Sequence, residues 1–305
     1  MDKISLEPET TRHLESIARD GMDIFLLEDA QVRACILNAS LLVNELRANH
    51  QLGILESLAL SHAAMGAVLC TNQMKSGDRC LLSLDCEGPL KGFAVESSAE
   101  GQVRGYLKVD HLELTAPVSS FELASYIGDG HLTVTKILQN SREPSTGTVA
   151  LVNKSIAGDL THYFLVSEQI QTAIALSVFF DPQGMIRGAG GLFLQALPGA
   201  DPQVLEDLED WLREIPSIGR SLAEAITPSQ LLHQQFKAFR PEMVGSRDAE
   251  FFCPCNRERF LVYLLSMNQA DRAALRVHNP EQVTVTCHNC ATSYHYRHSE
   301  IEPTE

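Results

Sequence analysis

The first quarter of the chain has apolar residues at helical spacing. Within DAQVRACILNASLLVNELRANH they recur at Val32, Cys35, Ile36, Leu42 and Leu46, which predicts an amphipathic helix. The next segment, GILESLALSHAAMGAVLCTNQM, continues in the same style. A short apolar run before them, DIFLLE, predicts one early strand.

The pattern changes between Cys80 and Gly147. Short apolar runs alternate with Gly, Pro and Ser in RCLLSLDCEGPLKGFAVESSAEGQVRGYLKV, which predicts strands joined by hairpins. IGDGHLTVTKIL and GTVALV predict further strands. DLTHYFLVSEQIQTAIAL then predicts a helix capped by Asp159, and SVFFDPQGMIRGAGGLFLQALPGA predicts strand, turn and strand. We therefore expect residues 1–198 to form one α+β core domain, an antiparallel sheet with packed helices.

Residues 199–245 read as a linker of short amphipathic helices. Asp201 with Pro202, and Thr227 with Pro228, are start signals that place a capping side chain before a proline in the first turn. Such short helices are marginal alone and need a surface on which to dock. On pattern alone, an ordinary packed linker is favoured over a special role. The first helix carries an apolar stripe of Val204, Leu205, Leu208, Trp211, Leu212 and Ile215.

Residues 246–305 form a predicted C-terminal domain that holds two close cysteine pairs. NRERFLVYLLSMN and NQADRAALRVH predict two helices, and VTVTCHNCATSYHY predicts strand, knuckle and strand. So short a segment has few large apolar side chains and buries little core by itself.

Charge and composition narrow the function. The 305 residues carry a net charge of −15, with 44% hydrophobic and 21% charged residues, as in ordinary globular proteins. An acidic surface repels phosphate backbones and acidic lipids, so neither nucleic acid nor membrane is an expected partner. The N-terminus lacks a signal-peptide pattern, and no apolar run is long enough to span a bilayer, so we expect a cytosolic location.

The eight cysteines fall into two groups. Cys35, Cys70, Cys80 and Cys86 are scattered among apolar neighbours and are predicted to be small core residues. The other four lie in the last 53 residues. Because cytosolic thiols are kept reduced, these eight are not by default a disulfide framework.

The C-terminal cysteines follow the pattern C-x-C, 31 residues, C-x-x-C. Cys253, Cys255, Cys287 and Cys290 make a complete tetrahedral ligand set for one structural zinc, which leaves no open position for hydrolytic chemistry. Pro254 stiffens the first pair, because proline fixes its own φ and favours an extended residue before it. A pair of catalytic dithiols, or a chance arrangement, is the alternative.

Four histidines lie near these cysteines and are expected to be surface or supporting residues, since four sulfurs already fill a tetrahedral site. They are His278, His288, His295 and His298.

The cysteine module has the chemistry of a redox-triggered unfolding device. A structural zinc typically contributes about 10–16 kcal/mol of apparent binding free energy, so holding the metal would hold the fold of the segment. Thiolates react with peroxide, and disulfide formation destroys the ligands. Many zinc ribbons are inert, so spacing alone leaves both readings open.

Apart from the cysteine pairs, the sequence lacks the motifs of several common enzyme classes. RGAGGLF, with Gly188, Gly190 and Gly191, leads into a strand-like run, so it predicts a tight turn or close packing and not a dinucleotide loop. No G-x-S-x-G, H-E-x-x-H or P-loop pattern occurs.

The tail CPCNRERF…CHNCATSYHY resembles the heat-shock protein 33 family of redox-regulated cytosolic holdase chaperones. CEGPLKGFAV, VRGYL, IGDGHLTVTK, HYFLVSEQI and GAGGLFLQALPGA resemble core segments of that family, in order. The resemblance runs from about residue 20 to about residue 298.

The resemblance implies a non-enzymatic chaperone that uses no ATP and serves in oxidative stress. It implies an inactive reduced form with one zinc, and an oxidised form with disulfides Cys253–Cys255 and Cys287–Cys290. Zinc would then leave, the tail and linker would unfold, and unfolding client proteins would bind to a chaperone that tends to dimerise. Candidate client-binding residues on the linker are Leu205, Leu208, Trp211, Leu212 and Ile215.

Three departures from the family pattern stand out. Pro254 lies between the first two cysteines, and His288 and Asn289 lie between the last two. Ala291 stands after the last cysteine, where a glycine is often expected. A thiol–disulfide enzyme and an inert zinc-ribbon module that binds a partner protein are the competing functions.

Overall fold

A computed structural model describes residues 1–109, 111–113, 121–278 and 281–301. The predictions at positions 110, 114–120, 279–280 and 302–305 lie outside these residues. The strands are β1 Gly21–Leu27, β2 Val32–Asn38, β3 Arg79–Cys86, β4 Gly92–Ser98, β5 Gln102–Leu107, β6 Gly130–Ile137, β7 Ser145–Ala150, β8 Thr172–Phe180, β9 Ile186–Ala196, β10 Glu242–Asp248, β11 Glu250–Phe251, β12 Val283–Thr286 and β13 Ser293–Tyr296. The helices are α1 Pro8–Ser16, α2 Ser40–His50, α3 Ile54–Cys70, α4 Ala124–Ile127, α5 Ile156–Tyr163, α6 Pro202–Leu212, α7 Ile218–Ala223, α8 Pro228–Gln235, α9 Arg257–Ser266 and α10 Gln269–His278.

The expected α+β class with antiparallel sheets is confirmed. One sheet has five antiparallel strands in the order β10-β1-β2-β9-β8. A second has six strands in the order β11-β5-β4-β3-β6-β7, and only its short edge strand β11 runs parallel to its neighbour. The central helix α3 contacts strands of both sheets and is buried along nearly its whole length. It therefore forms the centre of the main core.

The prediction that a helix begins near Val32 is wrong. Residues Val32–Asn38 form β2, which is hydrogen-bonded between β1 and β9, and the helix begins only at Ser40. A strand buried on both faces has a continuous apolar run, so it shows no alternation that would distinguish it from a helix.

The helix predicted from Asp159 onward also needs correction. Helix α5 begins earlier, at Ile156, and a π-helical turn at Phe164–Glu168 ends it, with the residues from Thr172 forming β8. Asp159 is not the capping residue but lies inside the helix. Its buried carboxylate accepts hydrogen bonds from the backbone N–H groups of Val152, Asn153 and Ser155, at 2.8–3.1 Å.

The linker helices begin where the sequence predicts. Asp201 accepts a hydrogen bond from the Gln203 N–H before Pro202, and Thr227 forms a capping box with Gln230 before Pro228. Helices α6, α7 and α8 pack on one face of the five-stranded sheet. Their joint apolar cluster comprises Phe25, Leu27, Val32, Ala34, Ile36, Leu192, Leu194, Leu208, Ile218, Leu222, Leu231, Leu232 and Phe236.

The glycine-rich stretch confirms the expectation of close packing. A Cβ atom on Gly188 would lie 2.1 Å from the carbonyl oxygen of Gly219, so α7 rests directly on the backbone of β9.

The chain after the linker returns to both sheets before it reaches the cysteines. Strand β10 spans the predicted domain boundary at 245/246 and pairs with β1, and β11 pairs with β5. The two predicted tail helices are present as α9 and α10, and β12 and β13 form the predicted hairpin. The division into three domains stays a prediction. Among the described residues, no helix is long and apolar enough to cross a membrane.

Candidate metal centre

The two cysteine pairs converge in space. The Sγ atoms of Cys253, Cys255, Cys287 and Cys290 all lie within 4.8 Å of one another, and each residue is at most 6% exposed. Contacts run across the pairs, with 3.8 Å between the sulfurs of Cys253 and Cys287 and 3.3 Å between those of Cys255 and Cys290. This is the arrangement that the spacing predicts for one four-ligand centre.

The first pair is placed by the six-stranded sheet. The Phe252 N–H donates to the Val103 carbonyl at 2.9 Å, which extends the pairing of β11 with β5 to the residue before Cys253. Beyond it, the Met1 amine donates to the Cys255 carbonyl at 3.0 Å. The proline between the cysteines has no N–H to satisfy, so the segment crosses this buried region with one donor fewer.

The second pair lies in the turn of the β12–β13 hairpin. The Cys287 N–H donates to Thr292 O at 2.9 Å, and the Ala291 N–H donates back to Cys287 O at 2.7 Å. Ala291 has φ of +54°, a left-handed conformation that glycine adopts with less strain. The knuckle therefore forms without the glycine that is often expected there.

Hydrogen bonds between the cysteines shift the pKa values of their thiols in opposite directions. Hydrogen bonds from Cys287 and Cys290 hold the pKa of Cys253 well below its usual range. The same contact with Cys253 raises the pKa of Cys287 to about 11, and it also raises that of Cys290. The cluster thus favours one thiolate surrounded by thiol donors until a cation compensates further negative charge.

Neighbouring polar groups support the sulfurs. Arg104 of β5 donates to Cys253 Sγ at 3.8 Å and binds Glu96 at 2.9 Å through its other terminal nitrogen. The Tyr294 hydroxyl lies 3.3 Å from Cys255 Sγ, and the Cys290 thiol contacts Thr292 Oγ1 at 3.3 Å.

The hairpin that carries the second pair is attached to the core. Asn49 of α2 donates to the Cys290 carbonyl at 3.0 Å, and the Gly105 N–H of β5 donates to the Asn289 carbonyl at 3.1 Å. The rings of Tyr106 and His288 meet edge to face at 5.6 Å. These contacts join the tail to the core domain.

The donor set fits a zinc ion. Tetrahedral coordination with Zn–S bonds of about 2.3 Å puts the sulfurs about 3.8 Å apart, within the range that the cluster already has. Sulfur ligands without oxygen favour zinc over magnesium or calcium. The four buried cysteines can therefore hold one metal ion of the zinc type.

Comparison with known proteins gives the family. The model of the Hsp33 protein family matches residues 20–297. The chain belongs to the Hsp33 family. Among similar proteins is one named 33 kDa chaperonin from Desulforamulus reducens, 33% identical over 85% of this chain and 88% of that protein. Another 33 kDa chaperonin, from Geobacter sulfurreducens, is 32% identical over 94% and 95% of the two chains.

A solved Hsp33 structure has the same fold. The crystal structure of the 33 kDa chaperonin, a heat shock protein 33 homolog, from Thermotoga maritima superposes with a TM-score of 0.82 at 29% identity. The match covers 93% of this chain and 97% of that one.

The candidate client-binding residues on the linker of this Hsp33-family chain are mostly buried or partly buried. Leu208 is 3% exposed inside the cluster beneath α6, while Trp211 is 38% exposed. The Trp211 indole N–H donates to the Gln235 carbonyl at 2.7 Å, which ties α6 to the end of α8. Leu205, Leu212 and Ile215 are partly buried against the same cluster.

Two residues that support the Hsp33 cysteine centre had no signal in the sequence. Arg104 is separated by 149 residues from Cys253, which it contacts, and Asn49 by 241 residues from Cys290. Arg104 lies in VRGYL, one of the segments that resemble the family, but neither that segment nor the sequence around Asn49 points to the cysteines, so only the fold brings the two residues to the site. Of the nearby histidines, His288 packs on Tyr106 and His295 contacts the Thr284 hydroxyl at 3.0 Å.

Proposed function

We propose that this protein is a redox-regulated, ATP-independent holdase chaperone. Membership of the Hsp33 family and the chaperonin names of its relatives support the chaperone activity. The observation that carries the redox part is the convergence of four buried sulfurs within 4.8 Å. The proposal includes a cytosolic location and unfolding proteins as clients.

In the proposed resting state, Cys253, Cys255, Cys287 and Cys290 hold one zinc as thiolates. Zinc, when bound, supplies the positive charge that lets four thiolates share one buried site. Arg104 adds a fixed positive charge beside Cys253, and the hydrogen bonds of Asn49 and Gly105 keep the knuckle against the core.

The proposed switch is oxidation within each pair. For each pair, one hydrogen peroxide accepts two electrons from two thiols, which gives one disulfide and two waters. Disulfides Cys253–Cys255 and Cys287–Cys290 consume all four ligands, so nothing remains to hold the metal. The segment then loses the free energy of zinc binding, the main contribution to the stability of its fold.

The chain path offers a route from the cysteines to the linker. A 3-10 turn at Lys237–Phe239 and the strands β10 and β11 connect α8 to Cys253, and both strands lie at sheet edges. Loss of order at the cysteines would therefore reach β10 and then the short helices, which depend on docking for their stability. Strand β10 pairs with β1, which carries Phe25 and Leu27 of the cluster beneath the linker.

Undocking of the linker would create the client-binding surface. It would uncover the sheet face that presents Phe25, Ile36 and Leu192, as well as the apolar stripe of α6. An exposed apolar patch of this kind binds unfolded chains and also drives self-association, so the oxidised form is expected to dimerise. The proposed client-binding residues of the linker are Leu205, Leu208, Trp211, Leu212 and Ile215.

Burial of the thiols argues against a thiol–disulfide enzyme. Such an enzyme must offer an accessible thiolate to a protein disulfide, whereas Cys253 and Cys290 are fully buried and the other two nearly so. The proposal therefore assigns no catalytic activity to the protein.

The decisive experiment follows light scattering of a heat-denatured client with reduced or peroxide-treated protein. Zinc and free thiols are measured on the same samples. We expect one zinc per reduced chain, protection only after oxidation, and loss of zinc in step with the four thiols. Equal protection in both states, or zinc that survives oxidation, would refute the switch.

A further inference from the structure

The turn between β1 and β2, residues 28–31, holds the start of the linker. The Leu197 N–H, just before the linker, donates to the Gln31 carbonyl at 2.9 Å. The Asp201 N–H, at the cap of α6, donates to the side-chain oxygen of Gln31 at 2.8 Å. One residue of the turn therefore fixes both the entry of the linker and the cap of its first helix.

The same β1–β2 turn holds the end of the linker. The Glu28 N–H donates to the Phe239 carbonyl at 2.8 Å. Arg240 Nη2 binds the carboxylate of Glu28 at 2.6 Å and that of Asp29 at 2.9 Å. Because its start and its end meet at one turn, the linker is closed into a loop on the core domain.

The backbone of the turn is in an unfavourable conformation. Three consecutive residues, Glu28, Asp29 and Ala30, have φ of +47°, +53° and +66°. Left-handed conformations are costly for residues with a Cβ atom and persist where surrounding contacts hold them. Within the turn, the Gln31 N–H donates to the Leu27 and Glu28 carbonyls at 3.0 and 3.1 Å. The bonds to the linker add to these and help to hold the turn in this shape.

Phe239 connects the turn to the apolar contacts of the linker helices. Its carbonyl accepts the hydrogen bond from the turn, and its ring lies 6.5 Å from the ring of Trp211 and 6.2 Å from that of Phe236. Trp211 in turn joins α6 to the end of α8 through its bond to the Gln235 carbonyl. Release of Phe239 would therefore loosen the contact between these two helices.

Arg240 lies at the junction between the linker helices and β10. It follows the 3-10 turn Lys237–Phe239, and β10 begins at Glu242, which pairs with Leu26 of β1. Fraying of β10, the route proposed above for the switch, would thus reach Arg240 before it reaches α8, α7 or α6. The ion pairs of Arg240 are the first contacts of the linker with the core that such fraying would disturb.

We propose that the β1–β2 turn is an autoinhibitory clasp and that Arg240 is a positioning residue that keeps the linker docked in the reduced protein. The inference rests on the proposed function and adds the contact that holds the switch off. The side chain of Arg240 is 59% exposed and that of Asp29 is 74% exposed. Exposed ion pairs stabilise weakly and are screened by salt, so the clasp favours docking modestly and opens readily.

The test is hydrogen exchange of the reduced full-length chain, followed by mass spectrometry of its peptides. Arg240→Gln is compared with Arg213→Gln, which removes a linker arginine whose ion pair with Asp210, at 2.9 Å, stays within the linker. We expect α6 and α8 to exchange roughly threefold to fivefold faster in Arg240→Gln than in the control, as loss of a small exposed ion-pair network implies. Exchange of α3 and zinc content should be the same in both.

A second variant tests the other end of the clasp. Gln31→Ala removes the side-chain bond to the Asp201 N–H and should also speed exchange of α6. Equal exchange of the linker helices in Arg240→Gln and Arg213→Gln would overturn the inference. That result would leave the proposed function intact, because protection of a client by the oxidised, unmodified protein is measured separately. Failure of that protection would refute the proposed function whatever the exchange rates of the reduced variants.

Discussion

Arg104 of the core sheet donates a hydrogen bond to the sulfur of Cys253, 149 residues further along the chain, at 3.8 Å. The same guanidinium binds Glu96 at 2.9 Å, so the side chain of Arg104 is held between a core carboxylate and the cysteine cluster. The contact links the state of the cysteines to the six-stranded sheet.

Replacing Arg104 with Gln should speed release of zinc from the reduced protein to a chelator by roughly fivefold. The variant loses one charge-assisted contact to a thiolate, worth about 1 kcal/mol. Arg79→Gln is the matched control, because Arg79 also pairs with Glu96, at 3.2 Å, but does not contact Cys253. Equal release from the two variants would contradict a role for the Arg104–Cys253 contact.

Ala291→Gly should strengthen the knuckle. Position 291 has φ of +54°, where a residue with a Cβ atom is strained by about 1 kcal/mol relative to glycine. We expect about fivefold tighter apparent zinc affinity in a competition titration. Ala274→Gly, inside α10, should give no such gain and should lower helix stability, since glycine is unfavourable in a helix interior.

Leu208→Ala should loosen the linker without touching the metal centre. Truncation of a leucine that is 3% exposed costs about 2–4 kcal/mol. We expect a lower first unfolding transition and partial protection of a heat-denatured client by the reduced protein, with zinc content unchanged. Leu165→Ala, at a position 55% exposed, is the control and should resemble the unmodified protein.

Trp211 should report undocking of the linker by its fluorescence. It is the only tryptophan in the sequence, and its indole packs near Phe239 with its N–H bonded to Gln235. Peroxide treatment or zinc chelation should shift its emission to longer wavelength as the ring enters water. Unchanged emission after all four C-terminal thiols are lost would show that the linker stays docked.

Stability of the core should fall as pH rises from about 4 to about 7 because of Asp20. Burial raises the pKa of this carboxyl to about 7 from its ordinary value of 3.8, although its oxygens accept hydrogen bonds from the N–H groups of Leu41 and Leu42. The folded protein therefore binds more protons than the unfolded chain between these two values. The stabilisation by the protonated form is complete below about pH 4 and is lost as pH approaches 7.

Denaturant unfolding at several pH values tests the role of Asp20. Asp20→Asn should flatten the decline in unfolding free energy between pH 4 and 7, because the amide does not titrate. Asp23→Asn, on the adjoining strand β1, should keep the decline. A slope unaffected by Asp20→Asn would assign the proton uptake to another group.

Local chemistry in the sequence predicted the cysteine centre and the linker starts. Four thiols in two close pairs have the residue types and spacing of a zinc ligand set. Asp201 or Thr227 before a proline caps a helix through atoms a few residues away. Such features depend on residues that are close in the sequence, so they can be predicted from the sequence alone.

Tertiary structure decided the rest. Val32–Asn38 is a strand because β1 and β9 flank it. Asp159 does not cap its helix but accepts a hydrogen bond from the Val152 N–H in the turn before it. Arg104 and Asn49 reach the cysteines only because sheets and helices pack in one particular way. Pairing between distant segments is set by the burial and hydrogen bonding of the whole fold. The sequence therefore determined which residues are the candidate ligands, and the fold determined what surrounds them.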